Sequence, residues 1–390
     1  MENFEYYNPT KIIFGKRTIE KIGEELKLNG FKKVLFLYGK NSIFNNGVYE
    51  TVTNSLKNNN IDSVEVGGIK PNPVLSKVYE VIEICKKEKI DAVLAVGGGS
   101  VIDSAKAIAA GACYDGDIWD AFEGKVSLNT SLPIFTVLTL SATGSEMNAF
   151  AVITKENEKK KWAFTAGVSS FPKVSIIDPS IQSSLPIEQT THGAVDAMSH
   201  IFELYFDGTD NTDIVDEYSE GLLRTIIKHT RILLNDHKNY ESRAQLVWAA
   251  TLALNGSNGT GRKWGDWATH NIEHSISAYY DIAHGAGLAI MFPAWMKYVY
   301  KIKPEKFARL AEKVFAITEG TVEQKALSGI EAVKNFYKEI NEPTSLADIN
   351  ITEKDIPELV ENAALQAPLG RLKKLVKNDI ESIFKIALIK

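Results

Sequence analysis

The chain changes character once, near Pro186. Before that point continuous apolar runs alternate with amphipathic stretches; after it, long helical patterns follow one another with no strand signal. Lys33-Val34-Leu35-Phe36-Leu37-Tyr38, Asp91-Ala92-Val93-Leu94-Ala95-Val96 and Ile134-Phe135-Thr136-Val137-Leu138 are apolar on both faces of an extended chain, the pattern of strands covered on both sides. Helical periods at 18–28, 48–58 and 75–88 and a strand at 62–67 complete the alternation. The crossovers this order demands give a doubly wound, mostly parallel sheet. Residues 6–15 read as a strand confined to an edge by Pro9, 174–178 as the last strand, and Glu156-Asn157-Glu158-Lys159-Lys160-Lys161 as the solvated turn of a hairpin. Helices are expected at 190–206, 213–234, 239–255, 266–280, 285–300, 304–318 and 322–340, with a further set from 352. A chain of 390 residues exceeds one ordinary core. We therefore expect an α/β domain over 1–183 and an all-α domain over 184–390.

Charge and composition exclude several classes. A net charge of −5 offers no basic footprint for nucleic acid or an anionic membrane. No stretch reaches the roughly 18 apolar residues of a membrane span, and Met1-Glu2-Asn3-Phe4-Glu5 has no signal-peptide character. The expected location is the cytoplasm. Cys85 and Cys113 are too few for a disulfide framework and lack a metal-binding spacing.

The strand at 91–96 runs straight into Gly97-Gly98-Gly99-Ser100-Val101-Ile102-Asp103 and then a helix. Glycines at such a junction let the backbone approach a ligand, and the helix amides that follow can hold a pyrophosphate. The run is neither GxGxxG nor a Walker A loop, so NTP hydrolysis is not expected. Two other turns open at carboxyl ends of strands: Gly39-Lys40-Asn41-Ser42, and Thr139-Leu140-Ser141-Ala142-Thr143-Gly144-Ser145-Glu146.

The helical half carries a different chemistry. Five of the chain's seven histidines, at 192, 200, 270, 274 and 284, fall in two short runs. Residues four apart share a helix face, so Asp196 with His200, and His270 with His274, can each aim at one spot. Ala194, Val195, Ala197, Met198, Ile201 and Phe202 make the first run apolar almost all round. An Asp buried in such a helix needs a cation or a hydrogen-bonded partner. One pair alone reads equally well as a core Asp–His hydrogen bond; two such runs point to a divalent first-row ion, Fe(II) or Zn(II), with a position open to substrate. The Gly-rich turns lie in the first half and the histidines in the second, so the site is expected in the cleft between the domains.

With GGGSxxD at 97–103, TLSATGSE at 139–146, GAVDAMSH at 193–200 and HxxxHx₉HG at 270–285, the chain resembles the iron-containing (group III) alcohol dehydrogenases over essentially its whole length. It is most similar to the branch of butanol dehydrogenases and NADPH-dependent aldehyde reductases. The resemblance implies metal ligands at Asp196, His200, His270 and His284, with His274 beside the substrate. It places the pyrophosphate on Gly97, Gly98, Gly99 and Ser100 with Asp103 nearby. Thr139, Thr143 and Asn148 would flank the ribose and nicotinamide, and Lys161 would contact the cofactor. Ser141 stands where close relatives often carry Pro, which leaves the rigidity of that loop open.

The implied reaction is hydride transfer between NAD(P)H and short-chain aldehydes or primary alcohols by a homodimer. In this family the adenosine ribose meets the loop at Gly39, Lys40, Asn41 and Ser42; it carries no carboxylate to repel a 2′-phosphate, so NADP(H) is expected over NAD(H). Trp162, Phe150, Trp264 and Trp267 are candidates for apolar walls of the substrate pocket. The rival enzyme readings are a polyol oxidoreductase of the glycerol-dehydrogenase type and a metal-dependent lyase of the dehydroquinate-synthase type. The lyase requires many cationic groups for its substrate, and Arg262 and Lys263 are the candidates. A metal-stabilised binding protein without catalysis would need a closed coordination sphere.

Overall fold

The structure, a computed structural model, describes residues 1–389. The chain forms two compact units: Tyr7–Pro186 with His237–Thr251, and Met1–Tyr6 with Ile187–Asp236 and Leu252–Lys390.

The first unit is built on a six-stranded sheet of β1 (Lys11–Phe14), β2 (Lys33–Tyr38), β3 (Asp62–Val66), β4 (Ala92–Gly97), β5 (Ile134–Leu138) and β8 (Val174–Ile177), with β6 (Ala151–Lys155) and β7 (Lys160–Phe164) forming an antiparallel hairpin. The spatial order is β1-β8-β5-β4-β2-β3, and every neighbouring pair is parallel. Side-chain alternation explains why the central strands are apolar throughout. Leu35, Leu37, Val93 and Ala95 pack on one face with the helices Leu75–Glu88 and Gly99–Ala112, while Val34, Phe36, Leu94 and Val96 pack on the other with Ile22–Leu28 and Val48–Asn58. β1 is an edge strand, as expected from Pro9, although only Lys11–Phe14 pairs. Two one-turn helices, Ser42–Asn45 and Trp119–Phe122, were not expected from the pattern.

Residues 237–251 belong with the α/β unit, whereas the sequence pattern assigns them to the helical half. Three contacts explain this. Val247 is part of the apolar core under the sheet, Trp248 meets Phe14 edge-on at 5.9 Å, and Thr251 Oγ1 donates to Glu146 Oε1 at 2.5 Å. A helical period does not say which core its apolar face joins.

The second unit is helical. Its central helix, Ile187–Tyr205, is buried at every position from Gly193 onward. A helix with no polar face must be enclosed by others, and here Asp213–Asn235 and His284–Val299 pack against it. Ala268–Tyr280, Pro304–Phe315, Val322–Glu339, Ile356–Ala363 and Lys377–Ala387 complete the unit. The N-terminal residues join it through Glu2 N, which donates to Gly261 O at 2.8 Å. Among the described residues, no helix is long and apolar enough to cross a membrane.

Candidate functional site

In the helical unit the second apolar helix, Ala268–Tyr280, carries His270 and His274, and His284 opens the next helix, His284–Val299. These helices bring Asp196, His270 and His284 together: one donor atom from each lies within 4.8 Å of the others. Asp196 Oδ1 is 3.7 Å from His200 Nε2 and 3.8 Å from His284 Nε2. These separations are long for hydrogen bonds, and they match donors spaced around a first-row ion with bonds of about 2.0–2.2 Å. The ring of His200 stacks on His270 at 5.0 Å. Burial, reinforced by His270 and His284, holds His200 well below the ordinary imidazole range, so it is neutral near pH 7 and able to act as a donor. His270 Nε2 is enclosed with no hydrogen-bond partner among the described residues. A buried imidazole nitrogen left this way fits a cation site. His274 lies beside the cluster, its ring 5.3 Å from that of His284.

Two further carboxylates back the histidines. Glu203, wholly buried, accepts from His270 Nδ1 at 2.8 Å, from the backbone N of His270 at 3.0 Å and from Trp267 N at 2.5 Å. Glu273, also wholly buried, meets His284 Nδ1 and accepts from Ser277 Oγ. The sequence pattern did not single out either residue. The signal was present, since Glu203 lies two turns beyond Asp196 on the same face and Glu273 three residues beyond His270.

Of the four aromatic residues expected to wall a substrate pocket, Trp267 is beside the cluster, 5.3 Å from the His270 ring. Trp264 is 49% exposed. In the α/β unit, Trp162 stacks on Trp119 at 5.8 Å and packs against the core, and Phe150 is exposed. Arg262 is buried and donates to Asp216 at 2.8 Å, so it is not presented to a ligand.

In the α/β unit the three turns open at the carboxyl ends of β2, β4 and β5, which are adjacent in the sheet. The order reverses between β4 and β2, the switch point where open α/β sheets take ligands. Gly99 begins its helix so close to the next turn that a Cβ there would overlap Thr143, and Thr139 N donates to Gly97 O at 3.0 Å. Thus Gly97 meets Thr139, Gly98 faces Leu140 and Gly99 sits against Thr143. Gly39 O accepts from Gly68 N at 2.7 Å, and Lys40, Asn41 and Ser42 are exposed.

Asp103, Asn148 and Lys161 are engaged with the protein itself. Asp103 accepts from Ser145 Oγ at 2.6 Å and Val152 N at 2.9 Å. Asn148 donates to Thr143 O at 3.2 Å and accepts from Lys106 Nζ at 3.1 Å. Lys161 is not in a solvated turn: it is buried in β7 and donates to Asn72 Oδ1 at 2.9 Å. Ser141 Oγ donates to Gln182 Oε1 at 2.6 Å, which ties down the loop whose rigidity was open.

The chain matches the iron-containing alcohol dehydrogenase family over residues 9–179, and the C-terminal region of that family over 190–388. It belongs to the iron-containing alcohol dehydrogenases. It is 45% identical over 390 residues to the probable NADH-dependent butanol dehydrogenase 1 of Bacillus subtilis, covering 100% of each chain. It is 37% identical over 363 residues to the NADPH-dependent aldehyde reductase YqhD of Escherichia coli, covering 92% of each. Among solved structures, that of NADH-dependent butanol dehydrogenase A from Thermotoga maritima superposes with a TM-score of 0.97 at 56% identity, over 100% of this chain and 99% of that one.

Proposed function

We propose that the protein interconverts short-chain aldehydes and primary alcohols, with butanal and butanol as representative substrates. The observation that carries this reading is the convergence of Asp196, His270 and His284 within 4.8 Å in a chain of this family. Asp196, His200, His270 and His284 are the residues that would hold a divalent ion, Fe(II) or Zn(II). Such an ion supplies Lewis acidity towards the substrate oxygen, and a nicotinamide dinucleotide supplies or accepts the hydride.

The chain's own contribution is binding, orientation and proton handling. The amides following Gly97, Gly98, Gly99 and Ser100 hold the pyrophosphate, and Thr139 and Thr143 border the ribose and nicotinamide. Asp103 and Asn148 act by holding that rim in shape, since their polar atoms are taken up within it. Lys161 is assigned to the cofactor side of the α/β unit. His274, beside His284, relays the proton that must reach or leave the substrate oxygen. The lyase alternative loses its main cation, because Arg262 is buried on Asp216.

The cofactor reading extends to a preference for NADP(H). It is supported by the exposed Lys40 and the lack of any carboxylate at 39–42; the names of the relatives divide, NADH for the Bacillus and Thermotoga proteins and NADPH for YqhD. The ratio of kcat/KM for NADPH to that for NADH tests it, and a ratio below one overturns it. We assign the protein to the cytoplasm as a homodimer, which sedimentation at twice 43.1 kDa and cell fractionation would check. The test of the reaction itself is loss of absorbance at 340 nm with butanal. No oxidation of either reduced cofactor by the metal-loaded protein overturns the proposed function.

A further inference from the structure

His270 and His284 are held in the same manner, and His200 is not. Each of the first two has its Nδ1 against a wholly buried carboxylate, Glu203 for His270 and Glu273 for His284. His200 Nδ1 has no hydrogen-bond partner among the described residues. We propose that Glu203 and Glu273 are positioning residues of the metal centre, fixing His270 and His284 as Nδ1–H tautomers so that Nε2 is the donor in both. The proposal rests on the reading of Asp196, His200, His270 and His284 as ligands.

The local chemistry supports this role beyond simple packing. The Glu203 carboxylate accepts from one imidazole N–H and two backbone N–H groups at the start of the helix Ala268–Tyr280. Those three bonds fix the turn from which His270 projects. Glu273 has room for its position only because residue 287 is glycine: a Cβ there would overlap Glu273 Oε1. A carboxylate behind a ligating imidazole raises its basicity and fixes its ring plane, and loss of such a partner weakens metal binding by about 10–100-fold.

The test is ion affinity, measured without turnover. Stripped wild type, Glu203→Gln, Glu273→Gln and His270→Ala are titrated anaerobically with Co(II) or Zn(II) against a chromogenic chelator, with the Co(II) d–d spectrum recorded and the melting temperature of each metal-free protein measured. Both Gln variants should bind about 10–100-fold more weakly than wild type, with a changed d–d envelope. The metal-free melting temperature of Glu273→Gln should stay close to wild type. Affinity within twofold of wild type for both Gln variants, with His270→Ala unable to bind, overturns the positioning role and leaves the ligand set standing. Wild type that takes up no ion, or His270→Ala that binds as wild type does, overturns the ligand reading and this inference with it. Should Glu203→Gln fail to fold, Glu203→Asp and Glu273→Gln decide by the same criteria.

Discussion

Lys106 occupies a stretch, Ser104-Ala105-Lys106-Ala107-Ile108, in which nothing marks it from a lysine facing solvent. In the structure it is wholly enclosed, donating to Ser145 Oγ at 2.7 Å, Asn148 Oδ1 at 3.1 Å and Phe150 O at 2.7 Å. Lys106→Met should cost about 3–5 kcal/mol, because it strands the neighbouring Asp103 and the acceptors it served; chemical denaturation measures this. Burial lowers the pKa of Lys106 to about 8. Its folded state therefore binds fewer protons than the unfolded chain between about pH 8 and 10.4, so this group adds stability as pH rises through that window and withdraws it as pH falls through 8. The difference between wild-type and variant stability curves should show that slope. The residues proposed for the metal site and its neighbour His274 obey the opposite logic of legibility. Asp196 with His200 and His270 with His274 were readable because their relation is local, one helical turn, whereas Lys106 and its acceptors are about 40 residues apart. His270→Ala and His284→Ala should lose both ion and activity, and His274→Ala should keep the ion while kcat falls; metal analysis beside steady-state kinetics separates the two outcomes.

At the level of elements, the inner strands β2, β4 and β5 were legible because burial on both faces leaves a nearly unbroken apolar run. Helix partners were not, since periodicity gives an apolar face without naming what covers it; the 237–251 stretch shows this most plainly. The meeting of Ile187–Tyr205 with His284–Val299 is tighter than a side chain permits. A Cβ on Gly285 would overlap the backbone carbonyl of His192. Gly285→Ala must push one helix away from the other at the residue next to His284, and overpacking of this kind costs about 1–3 kcal/mol. We expect a lower melting temperature together with faster loss of ion to a chelator. Wild-type retention of the ion would show that the helices yield without moving His284.

For the whole molecule the prediction concerns metal supply. Three imidazoles and a carboxylate accept Zn(II) at least as tightly as Fe(II), so occupancy should follow availability during preparation in air. Stripping should abolish activity, and Fe(II) or another divalent ion added anaerobically should restore it; activity indifferent to both steps would remove the ion from the reaction. An ion at a hundredfold its Kd should also stabilise the folded protein by about 2.7 kcal/mol, read as slower hydrogen exchange in 187–205 and 268–288 first. The division of the chain has a consequence for its birth. The α/β unit takes its last piece from His237–Thr251, after the chain has already begun the helical unit. A ribosome adding roughly 5–20 residues per second holds the first 186 residues outside the tunnel for several seconds with Val247 and Trp248 still unmade, and the apolar surface they cover lies open for that interval. Chaperone contact during synthesis should therefore persist past the completion of the sheet's last strand and fall away only once residue 251 has emerged.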